Sequence, residues 1–245
     1  MDRPSPRASA PTAPVAIPPA VTRLAHGRPT TPVWRNELGG LTFRLGDGDS
    51  AQYVTWIAAG TPEIDFRAEA ERLTWARQWI TVPPVLGQGA DADGSWLVTA
   101  AVPGRSAVDP RWIARPAAAA TAIGRGLRAF HDRLPVAGCP FDWSIERRLA
   151  HASTDLGAAP PIDRLVVCHG DACAPNTLLL DDGTVAAHVD LGALGVADRW
   201  ADLAVAAWST EWNYGPGYDD LVYVGYGIAP DAERIAYYRR LWDAG

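Results

Sequence analysis

The sequence predicts an α+β chain of two lobes, a small antiparallel-sheet N-lobe followed by a mainly helical C-lobe. Three observations carry this expectation. Between residues 33 and 99 the apolar residues fall in short runs broken by Gly and Asp turns, the pattern of strands and hairpins. Residues 117–133 and 232–242 instead space their apolar residues by three and four, the period of helices lying on a core. Between those helices residues 165–190 read LVVCHGDACAPNTLLLDDGTVAAHVD, in which two strand-like runs each lead to a carboxylate.

Taken in order, residues 1–30 are rich in Pro, Ala, Thr and Ser and hold no aromatic residue, which predicts a disordered tail. The N-lobe is expected over 31–102. Stretches 33–35, 41–45 and 52–57 read as three antiparallel strands, joined by a turn at 36–40 and another at 46–49. In the first turn Gly39 and Gly40 would let the backbone approach a phosphate closely. Residues 64–80 place Phe66, Ala70, Leu73, Ala76 and Trp79 near helical spacing and predict the main helix of this lobe. Two further strands are read at 85–86 and 96–99, and 99–102 as the passage to the next lobe, closed by Pro103-Gly104.

The C-lobe, 103–245, opens with a helix over 117–133 announced by Pro116, with Ile123, Leu127 and Phe130 on one face and a structural His131 near its end. A helical piece at 144–151 and a short loop-like interval lead to Leu165. The run 165–168 delivers His169-Gly170-Asp171 at a turn. Asn176, the turn Asp181-Asp182-Gly183 and a second strand then bring the chain to Asp190. A hairpin would gather Asp171, Asn176 and Asp190. Two carboxylates and an amide oxygen suit a hard cation such as Mg²⁺, which binds through few protein oxygens plus substrate phosphates. Asp171 is placed to accept a proton from an attacking hydroxyl. Farther on, a helix is read at 203–208, an aromatic turn at 212–217 and a last helix at 232–242 that turns Ile235, Tyr238 and Leu241 to the core.

The order HGD, then N after four intervening residues, then D-L-G resembles the catalytic arrangement of the protein-kinase-like fold in its small-molecule kinase version. VCHGDACAPNTLLLDDG, HVDLGALGVADRWADLA and the late IAYYRRLWD are similar to the aminoglycoside phosphotransferases, above all the 3′-hydroxyl type. The resemblance implies a two-lobed protein-kinase-like fold that uses ATP and Mg²⁺ to phosphorylate an aminoglycoside hydroxyl, conferring antibiotic resistance. It makes Asp171 the catalytic base, Asn176 and Asp190 the metal ligands and His169 a brace of the catalytic loop. Asp198 and Asp202 match acidic positions that stabilise the C-lobe. Glu69 matches the helix glutamate that pairs with a strand lysine, and the backbone from Ala100 to Val102 would meet the adenine edge. Glu211 and Asp243 are candidates to meet substrate ammonium groups, alongside Asp219 and Asp220.

At two points the sequence departs from that family. The chain contains no lysine, and Thr55 stands where the strand lysine belongs; Arg35 or Arg44 is the nearest alternative cation. The C-lobe is also shortened between 150 and 164, where the family places further helices. Two other readings follow: a degenerate, non-catalytic nucleotide- or antibiotic-binding homologue, or a kinase of another small cationic or nucleoside substrate. For a quaternary ammonium, Trp208, Trp212 and Tyr214 would form the cage.

Charge narrows the partners. Residues 1–170 carry +2 and residues 171–245 carry −8, for a net charge of −6. That balance argues against nucleic acid and for a small cationic substrate. No apolar run approaches the roughly 20 residues of a membrane span, and prolines interrupt the N-terminal stretch, so a cytoplasmic protein off the membrane is expected. Three cysteines without framework spacing fit a reducing compartment. A monomer or homodimer is expected, the shortened wall being the face that would dimerise.

Overall fold

A computed structural model describes residues 8–62, 64–150 and 156–244. Close contacts divide the chain into two units, Met1–Arg77 with Pro83–Val102, and Gln78–Val82 with Pro103–Gly245.

The first unit runs α1 (Pro19–Ala25), β1 (Thr30–Arg35), β2 (Leu41–Leu45), β3 (Gln52–Ala58), α2 (Phe66–Ala76), β4 (Val85–Ala90) and β5 (Gly94–Ala100). The strands make one antiparallel sheet in the order β1-β2-β3-β5-β4. Strand alternation sends Phe43, Leu45, Val54 and Val98 to one core, which α1 completes with Val21 and Ala25. Helix α2 packs against β4 and β5. Asp65 caps it by accepting from the Arg67 and Ala68 amides, both at 3.0 Å, so the helix is shorter than the 64–80 expected.

The disordered tail expected over 1–30 is corrected in its described part. Pro19 occupies a first-turn position of α1, where its missing N–H costs nothing, and Ala20, Val21 and Ala25 are buried. Ser9 pairs with Arg35 through two backbone hydrogen bonds of 3.0 and 2.8 Å, covering part of the β1 edge. Residues 1–7 lie outside the described residues.

The second unit contains β6 (Arg105–Ser106), α3 (Pro110–Ile113), α4 (Pro116–Arg133), α5 (Ile145–Leu149), β7 (Leu165–Cys168), β8 (Thr177–Leu179), β9 (Val185–His188), β10 (Gly195–Asp198), α6 (Trp200–Tyr214), α7 (Asp219–Tyr226) and α8 (Ala232–Asp243). Strands β6, β8 and β9 form one small sheet, and β7 pairs with β10. Helices α4 and α7 meet backbone to backbone. A Cβ on Gly124 would stand 2.0 Å from the Val222 carbonyl oxygen, and one on Gly225 2.2 Å from that of Thr121. The core then fills with Ile123, Leu127, Trp200, Leu203, Tyr238 and Leu241.

The 144–151 helix is confined to α5 in its described part, and His151 lies outside the described residues. Residues 156–164 are tied down rather than loose: the Asp163 amide donates to Asp198 at 2.6 Å, and Asp163 pairs with Arg199 at 2.7 Å. The aromatic turn expected at 212–217 is also corrected. Helix α6 continues through Tyr214, whose buried hydroxyl donates to the Ala107 carbonyl at 2.8 Å. The cage of Trp208, Trp212 and Tyr214 therefore does not form. Trp208 and Trp212 instead gather with Trp242, the Trp208–Trp212 centroids being 4.7 Å and the Trp212–Trp242 centroids 5.9 Å apart. Among the described residues no helix is long and apolar enough to cross a membrane.

Candidate active site

Strand β7 ends on Cys168, just before His169, and the chain turns sharply at Gly170. Gly170 takes φ +83° with its Cα against the Ala193 carbonyl oxygen, 2.2 Å from where a Cβ would sit. Only glycine fits both demands. The turn is held from below by Asp202 of α6, wholly buried, which accepts from the His169 amide at 2.7 Å and the Gly170 amide at 2.9 Å. His131 Nε2 lies 2.9 Å from the same carboxylate and His131 Nδ1 lies 2.9 Å from the Tyr226 hydroxyl. With Nε2 protonated, both contacts are satisfied, the tyrosine donating to Nδ1.

Burial alone would raise the Asp202 carboxyl. The hydrogen bond from His131, joined by the His169 backbone donor, outweighs it and holds the group below its ordinary value of 3.8. The folded value being the lower one, this carboxylate contributes stability above the ordinary value, and the contribution is lost as pH falls through the folded one. Asp202→Ala strands three buried donors, so urea unfolding is expected to record a loss of about 3–5 kcal/mol at neutral pH, shrinking as the solution is acidified.

On this platform the loop turns outward to Asp171. Asn176 Nδ2 donates to the Asp171 carbonyl at 2.9 Å and to Asp171 Oδ2 at 3.0 Å. Asp171 Oδ1 is buried with no partner among the described residues. One carboxylate oxygen is thus pinned and the other left with an unmet lone pair. The loop is fixed farther along by the buried Ser209 hydroxyl, which accepts from the Ala174 amide at 2.8 Å. His169 closes the arrangement, its Nε2 donating to the Val189 carbonyl at 3.0 Å.

Asp190 follows Val189, whose own amide donates to the Asn176 carbonyl at 3.0 Å, so pairing along β8 and β9 brings Asp190 to Asn176. Asp190 sits at φ +62°, a left-handed conformation that costs a non-glycine residue on the order of 1 kcal/mol or more. Its carboxyl is raised to about 6, by desolvation first and by the charge of Asp171 second. The residue as a whole is exposed, which limits desolvation and leaves repulsion from Asp171 as the main cause. The Asp190 carboxylate and the Asn176 amide oxygen, left free when Nδ2 turns to Asp171, make an oxygen donor set that fits a hard divalent cation.

The Gly39 amide donates to the Asn36 carbonyl at 3.1 Å and the Gly40 amide to Asn36 Oδ1 at 2.6 Å, so both are engaged within their turn. The amides of Ala100 and Ala101 donate to Pro84 and Ala51, whereas that of Val102 donates to no described group. Glu69 lies half-buried in the first turn of α2. Thr55 faces Thr42 across the β2–β3 pair, their hydroxyl oxygens 3.3 Å apart. In the C-lobe, Glu211 pairs with Arg239 at 3.5 Å, and Asp243 ends α8 in an exposed position. Ser209 and Tyr226, which support the loop from distant helices, have no signal in the local sequence.

A family model described as the phosphotransferase enzyme family matches residues 35–160 and 146–240. An aminoglycoside 3′-phosphotransferase of Streptomyces fradiae is 35% identical over 243 residues, covering 83% of this chain and 90% of its own length. Among solved structures, a type VIII aminoglycoside-3′-phosphotransferase superposes with a TM-score of 0.71 at 32% identity, covering 89% of this chain and 93% of that one. An aminoglycoside phosphotransferase from Streptomyces rimosus, solved in complex with ADP and streptomycin, gives 0.62 at 28% identity over 82% of this chain and 88% of its own.

Proposed function

This chain belongs to the aminoglycoside phosphotransferase family, and from that premise we propose that it transfers the γ-phosphate of ATP to a hydroxyl of an aminoglycoside. The observation that carries the reading is Asp171, with Oδ2 pinned by Asn176 and Oδ1 buried and unpaired. A substrate hydroxyl that donated to Oδ1 would relieve that unmet oxygen and be oriented for attack, and the carboxylate would take its proton as the bond to phosphorus forms. Asn176 and Asp190 would hold Mg²⁺, which neutralises charge on the phosphates when bound.

In the N-lobe the Val102 amide is the donor left for an adenine edge, with the Ala100 carbonyl as its companion acceptor. Gly39 and Gly40 would cover the phosphates by close backbone approach, since their amides are already used. Glu69 retains the helix position of the family's glutamate. Glu211 and Asp243 would meet substrate ammonium groups, Glu211 after parting from Arg239. The modified antibiotic would fit its cellular target poorly, which is resistance, exercised in the cytoplasm where ATP and Mg²⁺ are at hand.

The test is mass spectrometry of kanamycin and neomycin after incubation with the protein, Mg²⁺ and ATP, beside Asp171→Ala. The expected result is the gain of one phosphoryl group, absent in the variant. Unchanged antibiotics with a folded protein that still binds Mg-ATP would favour the second reading, a non-catalytic binder, which Thr55 in the lysine position specifically supports.

A further inference from the structure

Away from the catalytic loop the second unit contains a cavity of about 410 Å³ between α4, the β8–β9 hairpin and the segment at Ile80 and Thr81. A Cβ on Gly126 would stand 2.8 Å from a Val185 methyl, so helix and strand touch there. Arg125 and Arg133 of α4 both line the opening. Eight residues apart, they lie about 80° from each other around the helix and about 12 Å along it, close enough for two long side chains to converge on one group.

Neither guanidinium has an ion-pair partner among the described residues, although the protein carries a net charge of −6. Their neighbour on the same helix behaves otherwise, Arg128 pairing with Asp132 at 2.6 Å. Asp182, which also lines the cavity, accepts from the Thr184 amide of its own hairpin at 2.8 Å and forms no ion pair with either arginine among the described residues. His188, 5% exposed, also lines the cavity. The cavity therefore sets two arginines without ion-pair partners beside the methyls of Ala122, Ala129, Ala186 and Ala187.

We propose that this cavity is a second binding site, separate from the phosphotransfer site, for a small organic anion with a compact apolar body. Arg125 and Arg133 would grip a phosphate or carboxylate head, for which the guanidinium fork is shaped. The body would lie against the alanine methyls.

Isothermal titration of the full chain in EDTA at constant ionic strength, with phenyl phosphate in one arm and benzoate in the other, tests this and separates the two head groups. Saturable one-site binding of at least one probe is expected, weakened at least tenfold in the double variant Arg125→Gln/Arg133→Gln and unchanged in Asp190→Ala. Both arginines are exposed, so the double variant keeps its fold, which its unfolding midpoint verifies. No binding of either probe, equal binding by the double variant, or loss of binding in Asp190→Ala would each overturn the proposal.

Discussion

Asp171→Asn is expected to lower kcat by about 10²–10⁴-fold while leaving the unfolding midpoint and Mg-ATP affinity close to those of the parent. The substitution keeps the size of the side chain and can keep an oxygen toward Asn176 Nδ2, now 3.0 Å from Oδ2. What disappears is the negative, proton-accepting oxygen at the Oδ1 position, which no described residue satisfies. Because the platform beneath depends on Asp202, His131 and Ser209 rather than on the Asp171 carboxylate, the loop should hold its shape. Steady-state kinetics beside thermal unfolding would check this, and a fall of less than tenfold would remove Asp171 from the role of base. A loss confined to KM would instead mean that Asp171 only binds.

The parts of this molecule that could be read from sequence are those whose cause is local. The runs before Asp171 and Asp190 are apolar and bounded by turn residues, so β7, β8 and β9 declared themselves, and with them the meeting of Asp171, Asn176 and Asp190. The alternation of Leu41, Phe43 and Leu45 did the same for β2. What stayed hidden rests on distant partners. Helix α1 is Pro- and Ala-rich and is a helix because Val21 and Ala25 find Phe43 and Leu45. Strand β10 is four residues with a glycine first, and it forms because β7 offers a ladder. Tyr214 sits beside Gly215 and Pro216, which read as a turn, yet its hydroxyl is drawn inward to Ala107, 107 residues away.

The position of Thr55 yields the other large effect. In the sheet register Thr55 lies opposite Thr42 on β2 and Leu97 on β5, and Arg44, opposite Tyr53, is its diagonal neighbour on the same face. Arg35 is opposite Leu41, whose side chain belongs to the core under α1, so Arg35 falls on the other face. Of the two arginines considered for the missing cation, only Arg44 shares a face with Thr55, and its guanidinium lies 3.3 Å from Asp47. A cation already drawn to a neighbouring carboxylate is poorly placed to follow developing charge on a phosphate. Thr55→Lys is therefore expected to raise kcat/KM about a hundredfold, the equivalent of about 3 kcal/mol of transition-state stabilisation. The exchange removes the contact between the Thr42 and Thr55 hydroxyls, a stability cost of about 1 kcal/mol. Arg44→Gln should leave the parent rate within a few fold. Measured together, the two variants separate the alternatives. A gain from Thr55→Lys with no loss from Arg44→Gln would mean that the parent turns over without a phosphate-holding cation on this strand. The reverse pattern would assign that work to Arg44, a guanidinium reaching from the adjacent strand in place of the family's lysine.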